Sequence, residues 1–148
     1  MITECLDRLG ADVPAYPSKG VWFSRTGDTR TLANEPEVAE TLAREGWLVI
    51  PPGALSLMQQ IAIAKGTPRI AGVNGAGLTN LVFAAPGTSI TAFMPALMPD
   101  VFFWMLAGFK RQPYVEVRCR QDLDPKSPTG WNALLRLPTA DVLGHLGL

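Results

Sequence analysis

The stretch RIAGVNGAGLTNLVFAAPGTSITAFM, residues 69–94, decides the fold. It opens on a β-favouring apolar run, RIAGV at 69–73, and turns through the glycine-rich NGAGLTN at 74–80. After the Pro86-Gly87 breaker comes a second β-favouring run, TSITAFM at 88–94. Short β-favouring runs bounded by turn residues predict strands. The residues between them suffice for a short helix starting near Ala76 and ending near Pro86-Gly87. Strand, helix, strand is the unit of a parallel sheet, because parallel strands need a crossover.

The same unit repeats outward. Upstream, VWFSR at 21–25 reads as a strand between Gly20 and the turn-like Thr26-Gly27-Asp28, and WLVI at 47–50 as another, stopped by Pro51-Pro52. Between them Asn34 is placed to cap a helix with Glu37 completing a capping-box-like pattern, Val38 and Leu42 facing inward and Gly46 ending it. Ser56 caps a second helix over 57–65, with Leu57, Ile61 and Ala64 on one face. Downstream, a helix of about 99–109 is apolar almost all round, and YVEVRC at 114–119 is a fifth strand. QDLDPKSPTG at 121–130 reads as a polar loop, ALLRL at 133–137 as a sixth strand, and Thr139 as the cap of a last helix to about Leu146. The expected architecture is α/β: a Rossmann-like three-layer domain over 21–148, with a mostly parallel sheet of five to six strands and right-handed crossovers. Residues 1–20 read as a helix at 2–9 and a linker containing Pro14 and Pro17.

The composition bounds what such a domain can do. At 148 residues and 47% hydrophobic, the chain has one domain's length and the apolar content for a real core. Thirteen Lys+Arg balance thirteen Asp+Glu, which argues against a broad grip on nucleic acid or an anionic membrane and leaves room for a local anion site. Cys5 and Cys119 make neither a disulfide framework nor a zinc pattern, so no metal and a reduced compartment are expected. ITECLDRLG after Met1 lacks the features of a signal peptide, and Val101–Ala107 is far shorter than the ~20 residues of a membrane span. A cytoplasmic protein without a transmembrane segment is the expectation.

Ligands of doubly wound sheets bind at the carboxyl ends of the strands, near the switch in strand order. The third strand delivers GVNGAGLTN to that edge. Gly75 and Gly77 permit close backbone approach, a helix starting at Ala76 directs amide groups there, and Thr79 and Asn80 add neutral donors. This describes a phosphate cradle. A glycine-rich turn required only for close helix packing gives the same pattern. The dinucleotide fingerprint GxGxxG after the first strand is absent.

Ser24-Arg25, Arg30, Asn34-Glu35, Gly46, Pro51, Ser56, Gln60, Gly72, Gly75-Ala76-Gly77-Leu78-Thr79-Asn80, Phe83 and Pro86-Gly87 occur in one order over about 75 residues. In this order and spacing the chain resembles the C-terminal half of glycosyltransferase family 61, which includes capsular-polysaccharide biosynthesis proteins. A looser likeness through Trp104, Gly108 and Tyr114 extends to about 115. The resemblance implies the donor-binding domain of a two-domain GT-B enzyme that transfers sugar with inversion from a nucleotide-sugar, expected to be UDP-linked, to an acceptor glycan, without a bound metal. It implies that Arg25 pairs with phosphate, Arg30 assists, Gly75–Asn80 cradle the diphosphate, and Gln60 orients the loop or meets the donor. Two positions depart from the family pattern: Asn74 stands where the family usually has His, and Ala92 where it commonly has Glu. Both are expected at the ligand edge. Asn cannot carry a proton as imidazole can.

Each of these residues also has a plainer reading. Arg25 and Arg30 could be solvated or cap helices, Glu35 could act on a sugar hydroxyl or simply meet a helix N-terminus, and Gln60 could be structural. His145 reads as a helix-end residue, and Trp22, Trp47 and Trp131 as core or interface. The apolar segment 101–106 predicts association, either as a homo-oligomer or against a missing N-terminal domain. Activity is expected only with such a second domain, since a two-domain enzyme needs about twice this length. A non-catalytic protein-interaction module on the same fold, and an unrelated Rossmann-like enzyme with another phosphorylated ligand, remain as alternatives.

Overall fold

The computed structural model describes residues 5, 8–25, 30–123 and 132–148. Most of the N-terminal helix expected at 2–9, the turn at 26–28, the loop from 124 and Trp131 lie outside them. The strands are β1 (Val21–Phe23), β2 (Thr31–Leu32), β3 (Leu48–Ile50), β4 (Arg69–Val73), β5 (Ser89–Pro95), β6 (Tyr114–Leu123) and β7 (Ala133–Arg136). The helices are α1 (Glu35–Arg44), α2 (Leu57–Gly66), α3 (Phe102–Phe109) and α4 (Thr139–His145), with 3₁₀ segments at Pro52–Ala54 and Ala76–Phe83.

The fold is α/β, with a seven-stranded sheet in the order β2-β7-β6-β5-β4-β1-β3. This corrects the expected five to six strands. The five strands β3, β1, β4, β5 and β6 are mutually parallel. Beyond them β7 joins β6 antiparallel, and β2 joins β7 parallel, so the sheet is mixed. The two-residue β2 carries no strand signal of its own; Leu32 is drawn in by burial among the side chains of the second face. β6 continues to Leu123 because β7 pairs with Arg120–Leu123, so the polar run begins inside a strand.

Alternation along the strands divides the core. Val21, Phe23, Ile70, Ile90, Ala92 and Met94 face one side, under α2, the 76–83 segment and α3. Trp22, Ala71, Val73, Phe93, Val117 and Cys119 face the other, under α1 and α4. With both faces covered, β1 and β5 are buried almost end to end.

The local signals met mixed fates. Ser56 caps α2 through a full capping box, its Oγ accepting from the Gln59 amide (3.3 Å) while Gln59 Oε1 accepts from the Ser56 amide (2.9 Å). Gly46 follows α1 at φ +83°, in the left-handed region that glycine tolerates best. Asn34 occupies the N-cap position of α1 without a side-chain cap, because its amide donates to Thr139 Oγ1 (2.7 Å), tying α1 to α4. Thr139, expected to cap α4, is instead its first residue, and the N-cap is Pro138. α3 begins at Phe102 rather than 99, where Asp100 Oδ1 accepts the Phe102 amide (2.9 Å).

Candidate functional site

Taken in chain order, the five parallel strands β1, β3, β4, β5 and β6 lie in the spatial order 2-1-3-4-5 of doubly wound folds. Strand order reverses between β1 and β4. Chains leave both strands at their carboxyl ends there, one into Ser24-Arg25 and the other into Asn74-Gly75. A crevice of about 420 Å³ opens at this point. Ser24, Arg25, Pro52, Gln60, Ala76 and Gly77 are among its walls.

Glu35, at the start of α1, fixes the end of β1. Its Oε1 accepts from the buried Trp22 indole (2.9 Å) and from the Arg25 backbone amide (3.1 Å). The Arg25 guanidinium then crosses to β4, where Nη1 donates to the Asn74 carbonyl (3.0 Å). Burial lowers the Arg25 pKa and the Glu35 carboxylate opposes that, so a cation is held at the crevice mouth. Gly75 is what allows it: a Cβ there would fall 1.6 Å from Arg25 Nη1. At Gly77 a Cβ would come within 2.9 Å of Pro52 Cγ, narrowing the crevice from its floor.

A second group adjoins the first. Arg30 has a left-handed backbone, φ 46°, unusual outside glycine, and its Nη1 donates to Met98 Sδ (3.3 Å). Burial lowers its pKa most, the charge of Arg25 adds to that, and Asp100 opposes it. Asn74 is buried, with Nδ2 donating to Asp100 Oδ2 (3.1 Å) and, among the described residues, no hydrogen-bond partner for its Oδ1. Met98 and Asp100 were not singled out in the sequence. Their signal is positional: both follow the end of β5, on the same sheet edge as Arg25 and Asn74.

Of the residues expected to form the site, Arg25, Gln60, Ala76 and Gly77 meet at the crevice. Glu35 and Gly75 stand behind Arg25, whereas Arg30 and Asn74 belong to the group around Met98 and Asp100. Thr79 is exposed and outside the crevice lining. Asn80 is buried; its Nδ2 donates to Gln60 Oε1 (2.9 Å) and the Gly77 carbonyl (3.0 Å), and Gln60 donates to the Leu55 carbonyl (3.1 Å). This pair pins the segment after β4 to α2. The short helix expected from Ala76 is a 3₁₀ helix, Ala76–Phe83, with Gly75 as N-cap. Ala92 also departs from expectation. It lies mid-strand in β5, fully buried among apolar side chains between Gly72 and Glu116, and not at the ligand edge.

Strand order and crevice together define a doubly wound α/β domain whose open groove lies at the carboxyl edge, the place where this class takes its ligands. The chain belongs to glycosyltransferase family 61: the model of that family, glycosyltransferase 61, matches residues 1–91, more than half of the 148. Every residue lining the crevice falls inside that match. No curated protein matches the chain. Among the described residues, no helix is long and apolar enough to cross a membrane, and no cluster of three His, Cys, Asp or Glu could hold a metal ion.

Proposed function

We propose that the chain is a glycosyltransferase-like donor-binding domain. It takes the diphosphate of a nucleotide-sugar, UDP-linked, into the crevice between the ends of β1 and β4. The observation that carries this reading is Arg25, whose backbone amide is held by Glu35 and whose guanidinium is held by the Asn74 carbonyl beside the amino end of the 76–83 segment. The first amides of a helical segment lack partners within it, and a guanidinium matches phosphate geometry. Arg25, with Arg30 nearby, would stabilise the charge that develops on the departing diphosphate without a metal.

Inverting transfer also needs a base to take the proton of the acceptor hydroxyl as that oxygen attacks the sugar and the nucleoside diphosphate leaves with the bonding pair. Among the described residues that line the crevice Arg25 is the one titratable side chain, and it stays protonated. These residues suit binding and charge stabilisation. In this reading a second domain brings the acceptor glycan and completes the site for transfer, within polysaccharide biosynthesis in the cytoplasm.

The test is ligand-linked stability. UDP at about a hundred times its dissociation constant should stabilise the fold by roughly 2.7 kcal/mol, a rise of several degrees in Tm. Arg25→Ala should remove most of that rise. A panel of nucleotides and nucleotide-sugars that produces none would overturn the reading. One observation favours a second reading, a non-catalytic interaction module: the outer face of α3 is apolar and exposed. A chain that binds protein and no nucleotide would be that module.

A further inference from the structure

We infer that α3 is the contact of a two-fold symmetric dimer of this chain, its partner a second copy running antiparallel. The inference is independent of what the crevice binds. Phe103 and Ala107 anchor the inner face of α3 in the core. On the outer side Leu97, Val101, Phe102, Trp104, Met105 and Phe109 are all at least half exposed, Phe109 at 73%. That is roughly 600 Å² of apolar surface, at the upper end of what a monomer usually shows. Covering it on two copies buries about 1,200 Å², the lower end of a specific stable interface.

The pattern of charge selects the partner. Between Leu97 and Arg111 the charged residues are Asp100 at one end and Lys110-Arg111 at the other, with an uninterrupted apolar run between. The surface is therefore self-complementary in one orientation. A second copy antiparallel about Met105 and Leu106 sets Phe102 against Phe109 and Asp100 against the exposed Arg111, twice by symmetry. The helix dipoles then also oppose. A parallel copy would set Asp100 against Asp100. Asp100 already accepts from Asn74 and from the Phe102 amide, and a carboxylate retains lone pairs for a guanidinium. Gly108 faces open space, where an added Cβ would meet nothing, so two backbones can approach closely.

Sedimentation velocity over a concentration series tests this. The chain should dimerise with a dissociation constant in about the micromolar range. Phe109→Ser should give a monomer with unchanged circular dichroism. Arg111→Glu and Asp100→Lys should each weaken the homodimer about tenfold or more, by setting like charges opposite twice. Mixing those two variants should restore a dimer, because the heterodimer alone pairs opposite charges at both ends. A wild-type chain that stays monomeric throughout overturns the proposal and leaves the face for a different domain or protein. A dimer indifferent to both charge reversals, or one that mixing does not rescue, overturns it equally.

Discussion

Replacing Glu35 tests how the candidate site is held. Its carboxylate accepts two hydrogen bonds, from a fully buried indole at 2.9 Å and from the Arg25 amide at 3.1 Å. Glu35→Ala orphans both donors. Leaving a buried N–H unsatisfied costs about 1–3 kcal/mol, the half-buried Arg25 amide less, and the lost charge at the start of α1 about 0.5 kcal/mol. A total near 3 kcal/mol follows, which for a domain of this size lowers Tm by roughly 6–12 °C. Glu35→Gln keeps an acceptor oxygen and should lose only about 1 kcal/mol. Thermal unfolding followed by circular dichroism reads both. A double-mutant cycle with Trp22→Phe should then show coupling, since in the double variant no buried indole N–H is left unpaired. A Glu35→Ala variant melting within about 2 °C of wild type, or indistinguishable from Glu35→Gln, would refute the claim that this carboxylate organises the end of β1.

Four further outcomes follow from the structure. Gly75→Ala should leave the fold nearly intact, costing about 1 kcal/mol for the Arg25–Asn74 bond, because the clashing atom is the far end of a flexible side chain; nucleotide-induced stabilisation should nevertheless fall as far as in Arg25→Ala, read by titration calorimetry. Ser56→Ala removes the capping box of α2 and should destabilise by about 1 kcal/mol in urea unfolding. Burial pushes the Cys119 thiol up to about 11, while Cys5 is exposed, so a thiol reagent at pH 8 should modify Cys5 rapidly and Cys119 only on unfolding. The unfolded Cys119 thiol ionises first as pH rises, so the folded state holds the extra proton between about pH 9 and 11 and loses stability across that window.

The elements legible in the sequence were those whose signals are local. RIAGV matches β4 residue for residue because Pro68 and Asn74-Gly75 bracket a run buried after its first residue. Ser56 was legible as a cap because its partner, Gln59, is three residues away. Asn34 carries the same kind of signal and failed, since its amide goes to Thr139, a residue 105 positions off. β2 was illegible for a related reason: two residues make a strand only because β7 lies beside them. The candidate site divides the same way. Glycine spacing marked the turn after β4, but only strand order brings Arg25 across to Gly75, and only the β5 end brings Met98 and Asp100 to Asn74. The position of Ala92 depends on register, which sets it opposite Gly72 in the middle of the sheet rather than at its edge, and register carries no local signal.

The most direct measurement of the central claim is a calorimetric titration of the chain with UDP and with uridine, repeated on Arg25→Ala. If the crevice between β1 and β4 grips a diphosphate through Arg25, UDP binds and uridine binds far more weakly. Arg25→Ala should then bring the UDP affinity down by about tenfold or more, towards that of uridine. UDP and uridine binding equally well, or UDP binding unchanged by the loss of the guanidinium, would contradict the account.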